Sequence, residues 1–182
     1  MDFLKVSKSA LNKAEEAINK GNVVVFPTDT VCGFLVDAKN KKAVGKIYKI
    51  KKRSKLKPLA VFVKDIKMAK DLAEISKKQE KILKKYWPGK YTFVLKKKNS
   101  KGTIALRVPK YKPLNDLLKK INKPLAQTSV NVSGKETLFK TKDIKEQFKN
   151  QKDLLFFDAG NLPKRKPSVI IDLTRDGLTR LR

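Results

Sequence analysis

The 182-residue chain contains no histidine and a single cysteine, Cys32. Without histidine it cannot form a Ser-His-Asp triad, a Cys-His nucleophile pair or a His-ligated zinc site, and it has no imidazole acid or base near neutral pH. One cysteine makes neither an intrachain disulfide nor a thiolate cluster. Any catalysis must therefore use carboxylates, lysines, hydroxyls, backbone groups or a metal ion that arrives with the substrate.

Long apolar runs are also absent, since no stretch approaches the roughly 20 apolar residues that span a bilayer. Residues 1–22 contain no apolar segment of the kind that targeting signals carry. We therefore expect a cytoplasmic protein with a reduced Cys32 and no membrane association. The length suits a single domain over residues 1–182, because a chain of this size buries roughly 70% of its unfolded surface.

Arginine is scarce although the net charge is +28, since only six of the 45 basic residues are arginine. An AT-rich genome favours lysine wherever the two cations are interchangeable, so much of the excess charge is weak evidence for a nucleic-acid partner. The planar fork of arginine cannot be replaced by an ammonium group at a bidentate phosphate or carboxylate site. Some arginines should therefore mark such sites; the six are Arg53, Arg107, Arg165, Arg175, Arg180 and Arg182.

Helical and strand patterns alternate along the chain without long linkers or repeats. The spacing of apolar residues predicts helices at 9–21, 41–52, 65–73, 76–86, 113–121 and 142–151. Short apolar runs predict strands at 23–26, 59–63, 91–95, 103–108, 125–128, 154–157 and 168–173. This alternation predicts the α/β class, with one domain built around a mixed sheet that helices flank.

Four segments place polar groups at predicted strand ends, where open α/β sheets usually bind ligands. Residues 27–33 (PTDTVCG) could cradle a small polar ligand, but capping of local backbone groups by Asp29 and the threonines is the simpler interpretation. Residues 51–59 hold five cations within seven residues. They could bind a polyphosphate, as Arg53 suggests, or form a solvated lysine-rich loop.

The third segment is the strand that ends at Arg107. Alternation puts Thr103 and Arg107 on one face, so Arg107 must reach solvent or an anion, either a substrate carboxylate or a structural partner. The sequence leaves these two open. In the fourth segment, residues 128–134, Ser129 and Asn131 face the same side of an extended chain. The chain has neither a P-loop nor a G-x-G-x-x-G motif, so those two nucleotide-binding devices are excluded.

Six motifs occur in a fixed order over nearly the whole chain: PTDTVCG, IYKIKKRSKLKPLAVFV, YWPGKYTFVL, TIALRVP, PLAQTSVNVSG and PSVIIDL, with LTRLR at the end. In this order they resemble the YrdC-like family of L-threonylcarbamoyladenylate synthases. The resemblance implies a twisted α/β sheet with a positively charged cleft. It also implies a nucleotidyltransferase that converts L-threonine, bicarbonate and ATP to threonylcarbamoyl-AMP and pyrophosphate, for the modification of adenosine 37 in tRNA.

The resemblance implies a role for each of nine residues, and Mg²⁺ as the cofactor that accompanies ATP, with no metal site in the protein. The lysine-x-arginine pair, expected to be catalytic, falls on Lys51 and Arg53. The residues expected around L-threonine are Thr30, Arg107, Ser129 and Ser168, and those expected around ATP are Lys51, Arg53, Thr103, Asn131 and Arg182. The sequence departs from the family pattern at Cys32, Ser54, Phe62 and Val169.

Partners and alternatives follow from the same resemblance. Threonylcarbamoyl-transfer proteins would act downstream, and tRNA or double-stranded RNA are further possible partners. The C-terminal domain of longer relatives is not expected here. One alternative function is a non-catalytic protein of the same fold that binds double-stranded RNA or tRNA through phosphate contacts. Another is the carbamoyl-transfer module of hydrogenase maturation, whose usual partner domains the chain lacks.

Overall fold

The computed structural model describes residues 2–5, 7–151, 154–158, 160, 163–175 and 177–182. The helices are α1 (Lys8–Asn19), α2 (Lys41–Lys51), α3 (Ile66–Leu72), α4 (Lys77–Tyr86), α5 (Lys112–Ile121) and α6 (Thr141–Phe148). The strands are β1 (Asp2–Lys5), β2 (Val23–Phe26), β3 (Gly33–Asp37), β4 (Ala60–Phe62), β5 (Tyr91–Lys96), β6 (Thr103–Arg107), β7 (Leu125–Ser129), β8 (Leu154–Asp158), β9 (Val169–Asp172) and β10 (Thr179–Arg180).

Side chains in the preceding turns fix where several helices begin. Ser7 accepts a hydrogen bond from the Ala10 amide at the start of α1, and Asn40 accepts one from the Ala43 amide at the start of α2. Ser76 and Gln79 form a reciprocal capping box at the start of α4. These caps satisfy amide groups that have no partner inside the helix, and they set the helices in register with the strands.

All ten strands form one mixed sheet in the order β1-β8-β2-β3-β7-β4-β6-β5-β9-β10. Helices α1 and α5 pack on one face, and the other four pack on the opposite face. The prediction of an α/β fold with a mixed sheet between helices is confirmed. Each predicted helix and strand is present, whereas β1, β3 and β10 were not predicted.

Helices α1 and α5 leave part of their sheet face uncovered, and the candidate site described below lies there. These two helices cover the ends of β4 and β7 at Phe62 and Leu125. Two residues away from Phe62 and Leu125, Ala60 of β4 lies opposite Gln127 of β7. On its other side, β4 pairs with β6, which contains Ala105. We call this surface the open sheet face; it consists of the half-buried side chains of Ala60, Val94, Ala105, Gln127 and Ile170. Its small alanine side chains leave room for a ligand above the strands.

Candidate active site

Arg107, the last residue of β6, is 1% exposed and forms an ion pair of 2.6 Å with Asp29. The guanidinium also donates to the Gly89 carbonyl at 2.8 Å and to the Thr30 hydroxyl at 3.2 Å. Burial lowers the pKa of Arg107, and the charge of Asp29 opposes that shift. The structural partner that the sequence left open is therefore present. Among the described residues, three of the five N–H donors of Arg107 have partners, and contact with substrate would use the other two.

Asp29 was predicted to cap its own loop, and that interpretation is wrong for its side chain. One carboxylate oxygen accepts from Arg107, and the other accepts the backbone amide of Lys110 at 3.1 Å. The local capping is done by Thr28, which accepts from the Thr30 amide and donates to the Val31 carbonyl. Asp29 thus joins the 27–33 loop to the end of β6 across the cleft.

Gly89 holds Arg107 from the other side and was also missed. A Cβ atom at this position would lie 2.5 Å from the carbonyl oxygen of Tyr86, so only glycine fits without a backbone shift. The Gly89 amide donates to the Val108 carbonyl at 2.9 Å. The segment is therefore fixed against the strand end that carries Arg107, and its carbonyl oxygen is correctly placed for the guanidinium.

The substitution Gly89→Ala is expected to destabilise the protein by about 2 kcal/mol, because the methyl group would displace the Tyr86 carbonyl and the acceptor of Arg107. For a chain of this length, that loss lowers Tm by about 4–8 °C in a thermal unfolding experiment. Gly45→Ala is the matched control, since nothing lies within 4 Å of its Cβ position inside α2. Equal Tm values for the two variants would show that the close approach at Gly89 is not a constraint.

Lys51 lies at the opposite end of the cleft and is 1% exposed at the end of α2. Its ammonium group donates to the Ser129 carbonyl at 2.5 Å, and to the carbonyl and side-chain oxygen of Asn131 at 2.8 Å each. These bonds use all three N–H donors. Lys51 therefore fastens the 129–131 loop to α2, and a direct bond to phosphate would require it to exchange one of these acceptors.

Asn131 is held in the same way. Its side-chain oxygen also accepts from the Ser129 hydroxyl at 2.7 Å, and its amide nitrogen donates to the carbonyls of Val132 and Lys135. This contact confirms that the Ser129 and Asn131 side chains lie on the same side of the loop, whereas their joint contact with one ligand stays a prediction. The geometry gives Asn131 a role in shaping the loop, while the hydroxyl oxygen of Ser129 retains lone pairs for a ligand; the predicted nucleotide contact of Asn131 stays a prediction.

Arg53 and Arg182 complete a cationic cluster with Lys51. Arg53 donates to the carbonyls of Lys57 and Pro58, and Arg182 donates to the carbonyl of Ser168. Burial lowers the pKa of Lys51 to about 8 and also lowers that of Arg182, and the charge of Arg53 adds to both shifts. Three cations that repel one another would be stabilised by an anion between them.

Further hydrogen bonds hold the segments around the open sheet face together. On one side, the Val130 amide donates to the Cys32 carbonyl at 3.0 Å, and Ser129 pairs with Gly33. On the other side, the Thr92 hydroxyl donates to the Ser168 hydroxyl at 2.9 Å. The β5–β6 register places Thr92 opposite Arg107. Thr92 was missed because it lies within an apolar strand pattern.

The structure thus brings eight of the nine predicted site residues to the rim of the open sheet face: Thr30, Lys51, Arg53, Arg107, Ser129, Asn131, Ser168 and Arg182. Thr103, the ninth, shares the sheet face of Arg107 but lies at the other end of β6, about 13 Å from Arg107 at the rise of an extended strand and toward the Pro58 carbonyl that accepts from Arg53. Its predicted contact with the nucleotide stays a prediction and needs a ligand that extends along β6.

Three further observations bear on the chemistry. Burial raises the pKa of Cys32 to about 12, so this residue is a neutral thiol. Within the residues that the structure describes, no group of three acidic or cysteine side chains is placed to hold a metal ion. Across the same residues, none of the helices has the length and apolar content needed to cross a membrane.

These contacts define an α/β protein with a candidate ligand site over its sheet, bordered by a buried arginine–carboxylate pair and by a cationic cluster. The chain belongs to the Sua5/YciO/YrdC family, whose model, described as "Telomere recombination", matches residues 16–182.

Relatives differ in how much of their own length the chain spans. A Methanocaldococcus jannaschii protein named as a candidate threonylcarbamoyl-AMP synthase is 34% identical over 181 residues, which are 96% of this chain and 86% of the relative. The threonylcarbamoyl-AMP synthase of Pyrococcus abyssi is 31% identical over 86% of this chain, but only 48% of that relative is covered. The chain therefore spans about half the length of the Pyrococcus protein.

Two solved structures have the same fold. Pyrococcus abyssi Sua5 complexed with L-threonine superposes with a TM-score of 0.89 at 28% identity, over 100% of this chain and 56% of that one. Escherichia coli YciO superposes with a TM-score of 0.90 at 27% identity, over 100% of this chain and 95% of that one. The chain covers nearly all of YciO and about half of the Sua5 chain, and the latter structure is the complex with L-threonine.

Proposed function

We propose that the protein is an L-threonylcarbamoyladenylate synthase, a nucleotidyltransferase that makes threonylcarbamoyl-AMP and pyrophosphate from L-threonine, bicarbonate and ATP for the modification of adenosine 37 in tRNA. One observation carries the proposal: the buried Arg107–Asp29 pair and the cationic cluster of Lys51, Arg53 and Arg182 border the same open sheet face. A site of this kind suits an amino acid at one end and a polyphosphate at the other. Relatives named as synthases and the Sua5 complex with L-threonine support it.

The chemistry assigned to this site depends on positioning. The threonine amine and bicarbonate condense to a carbamate with loss of water. A carbamate oxygen then bonds to the α-phosphorus of ATP while the bond to the bridging oxygen breaks, and pyrophosphate leaves with the electron pair. Mg²⁺ enters with ATP as part of the substrate. Arg53 and Arg182 offset phosphate charge, and Lys51 holds the 129–131 loop that shapes the site.

The assay that tests the proposal is pyrophosphate release by the purified protein in the presence of bicarbonate and Mg-ATP. Release should depend on L-threonine, and mass spectrometry should detect threonylcarbamoyl-AMP in the same reaction. Release without threonine, or no release with it, would contradict the proposed reaction. The proposal also places the protein in the cytoplasm, with the product passed to a threonylcarbamoyl-transfer protein and tRNA.

The alternative of a non-catalytic RNA-binding protein is not favoured. The arginines Arg53, Arg107 and Arg182 lie around the cleft, and relatives from Pyrococcus abyssi and Bacillus subtilis are named as threonylcarbamoyl-AMP synthases. RNA binding driven by the lysine-rich surface alone would weaken steeply with salt and would not respond to threonine.

Arg53→Lys is expected to lower kcat/KM for ATP by about tenfold or more, because the variant keeps the charge but loses the fork that binds two phosphate oxygens. Lys55→Arg is the matched control, as an exposed cation of the same loop exchanged in the opposite direction. Steady-state pyrophosphate release at varied ATP measures both. Equal activity of the two variants would show that arginine at position 53 has no special role.

A further inference from the structure

Arg165 reaches the cleft from the segment that precedes β9, whose sequence predicts a surface loop. We call residues 163–167 (PKRKP) the strap; it is exposed and directly precedes Ser168. From the strap, a terminal nitrogen of Arg165 donates to the backbone carbonyl of Asp29 at 3.3 Å, across 136 positions of sequence. Asp29 is the residue whose side chain holds Arg107. The two arginines therefore flank the same residue, one through its side chain and the other through its backbone.

The charge at this end of the cleft is balanced before any substrate arrives. The carboxylate of Asp29 lies 2.6 Å from Arg107, so the pair is close to neutral as a whole. An amino acid with a free amine carries one negative charge on its carboxylate, and a buried anion needs a cation that is not already neutralised. Arg107 can offer N–H donors, but it cannot offer a net positive charge.

Arg165 has both the charge and the donors. Its contact with Asp29 uses one of its five N–H groups. Its positive charge also opposes the rise that burial causes in the pKa of the half-buried Tyr111 at the start of α5. Pro163 and Pro167 bracket the strap and restrict its backbone, which lowers the cost of ordering it over a ligand.

The amino-acid sequence of the strap is consistent with a binding role for Arg165. The flanking Lys164 and Lys166 are exposed, and lysine serves this chain as its general surface cation. An arginine between two lysines suggests that a planar fork is needed there, as at a bidentate carboxylate. Lys110 is another cation close by, but it meets Asp29 through its backbone amide and not through its side chain.

We propose that Arg165 binds the carboxylate of the amino-acid substrate, with the strap covering the Asp29 end of the cleft. The inference rests on the proposed function and adds to it the residue that supplies the uncompensated charge. Arg107 keeps Asp29 and Thr30 in place and lends its two remaining N–H donors, whereas Arg165 provides the ion pair.

Kinetics of Arg165→Ala test the assignment in the full chain. The KM for threonine is expected to rise about tenfold or more, in line with loss of a charge-assisted hydrogen bond, while the KM for ATP stays within about twofold. Arg165→Lys should recover part of the loss. Lys164→Ala and Lys110→Ala are the controls and should behave as wild type. A threonine KM that is unchanged in Arg165→Ala, or that rises instead in Lys110→Ala, would overturn the assignment.

Thermal stabilisation by L-threonine and by L-threoninol, which replaces the carboxylate with an alcohol, gives a second readout. Threonine should stabilise the wild-type protein more than threoninol does, and Arg165→Ala should lose most of that difference. If the variant keeps the difference, the role of Arg165 is overturned, whereas the proposed function still stands. A wild-type protein that shows neither pyrophosphate release nor stabilisation by threonine would contradict the proposed function itself.

Discussion

Arg107→Met is expected to abolish threonine-dependent pyrophosphate release and to produce the largest loss of stability among the variants considered. The substitution removes the partner of a buried carboxylate, since Asp29 is 5% exposed and its ion pair with Arg107 measures 2.6 Å. Breaking a buried pair by removing one partner costs about 3–5 kcal/mol. The Gly89 carbonyl and the Thr30 hydroxyl lose their donor at the same time.

The double variant Asp29→Asn with Arg107→Met separates stability from function. Without the carboxylate, no uncompensated charge is left in the interior, so part of the lost stability should return. Activity should not return, because the guanidinium that orders Thr30 and the 27–33 loop is still missing. Urea unfolding and pyrophosphate release measure the two effects. A double variant no more stable than Arg107→Met, or a single variant with a normal threonine KM, would contradict this account of the pair.

The contrast between fold and site shows what local sequence patterns can predict. The period of apolar residues predicted each helix that the structure describes, because every one of these helices buries one face against the sheet. The strands that were missed lack that signal. β10 has only two residues. β3 follows a polar loop and begins at Gly33, so the sequence pattern assigns the apolar residues of β3 to the preceding turn.

The contacts between site residues depend on the strand order of the sheet, which local sequence patterns do not reveal. Arginine scarcity indicated that some of the six arginines mark ligand sites, the family resemblance singled out Arg53, Arg107 and Arg182, and all three lie at the cleft. The partner of Arg107 could not be predicted, because Asp29 is 78 positions away and reaches it only through the order of strands in the sheet. The role of Gly89 likewise depends on the Tyr86 carbonyl, an approach that no composition or spacing reveals.

Lys51→Met is expected to lower both activity and stability, because it leaves three oxygens of Ser129 and Asn131 without the donor that holds them. Each unsatisfied buried acceptor costs about 1–3 kcal/mol. The Asn131 side-chain oxygen keeps the Ser129 hydroxyl as a donor, so the cost falls mainly on the two carbonyl oxygens, and relaxation of the loop will reduce it. Tm should therefore fall by several degrees, at about 2–4 °C per kcal/mol for a chain of this length. Lys49→Met, an exposed position on the same helix, is the control and should leave both properties unchanged.

The pH dependence of that stability difference tests the state of the Lys51 ammonium group. Burial, with the charge of Arg53 as a second cause, lowers the pKa of Lys51 from 10.5 to about 8 in the folded protein. Between these values the unfolded chain binds more protons, so the stability of wild type relative to Lys51→Met should rise with pH from about 8 to 10.5. Chemical denaturation of both proteins across this range measures it. A difference that stays constant with pH would instead mean that the three oxygen acceptors keep the ammonium protonated, and that the 129–131 loop is held by a permanent charge.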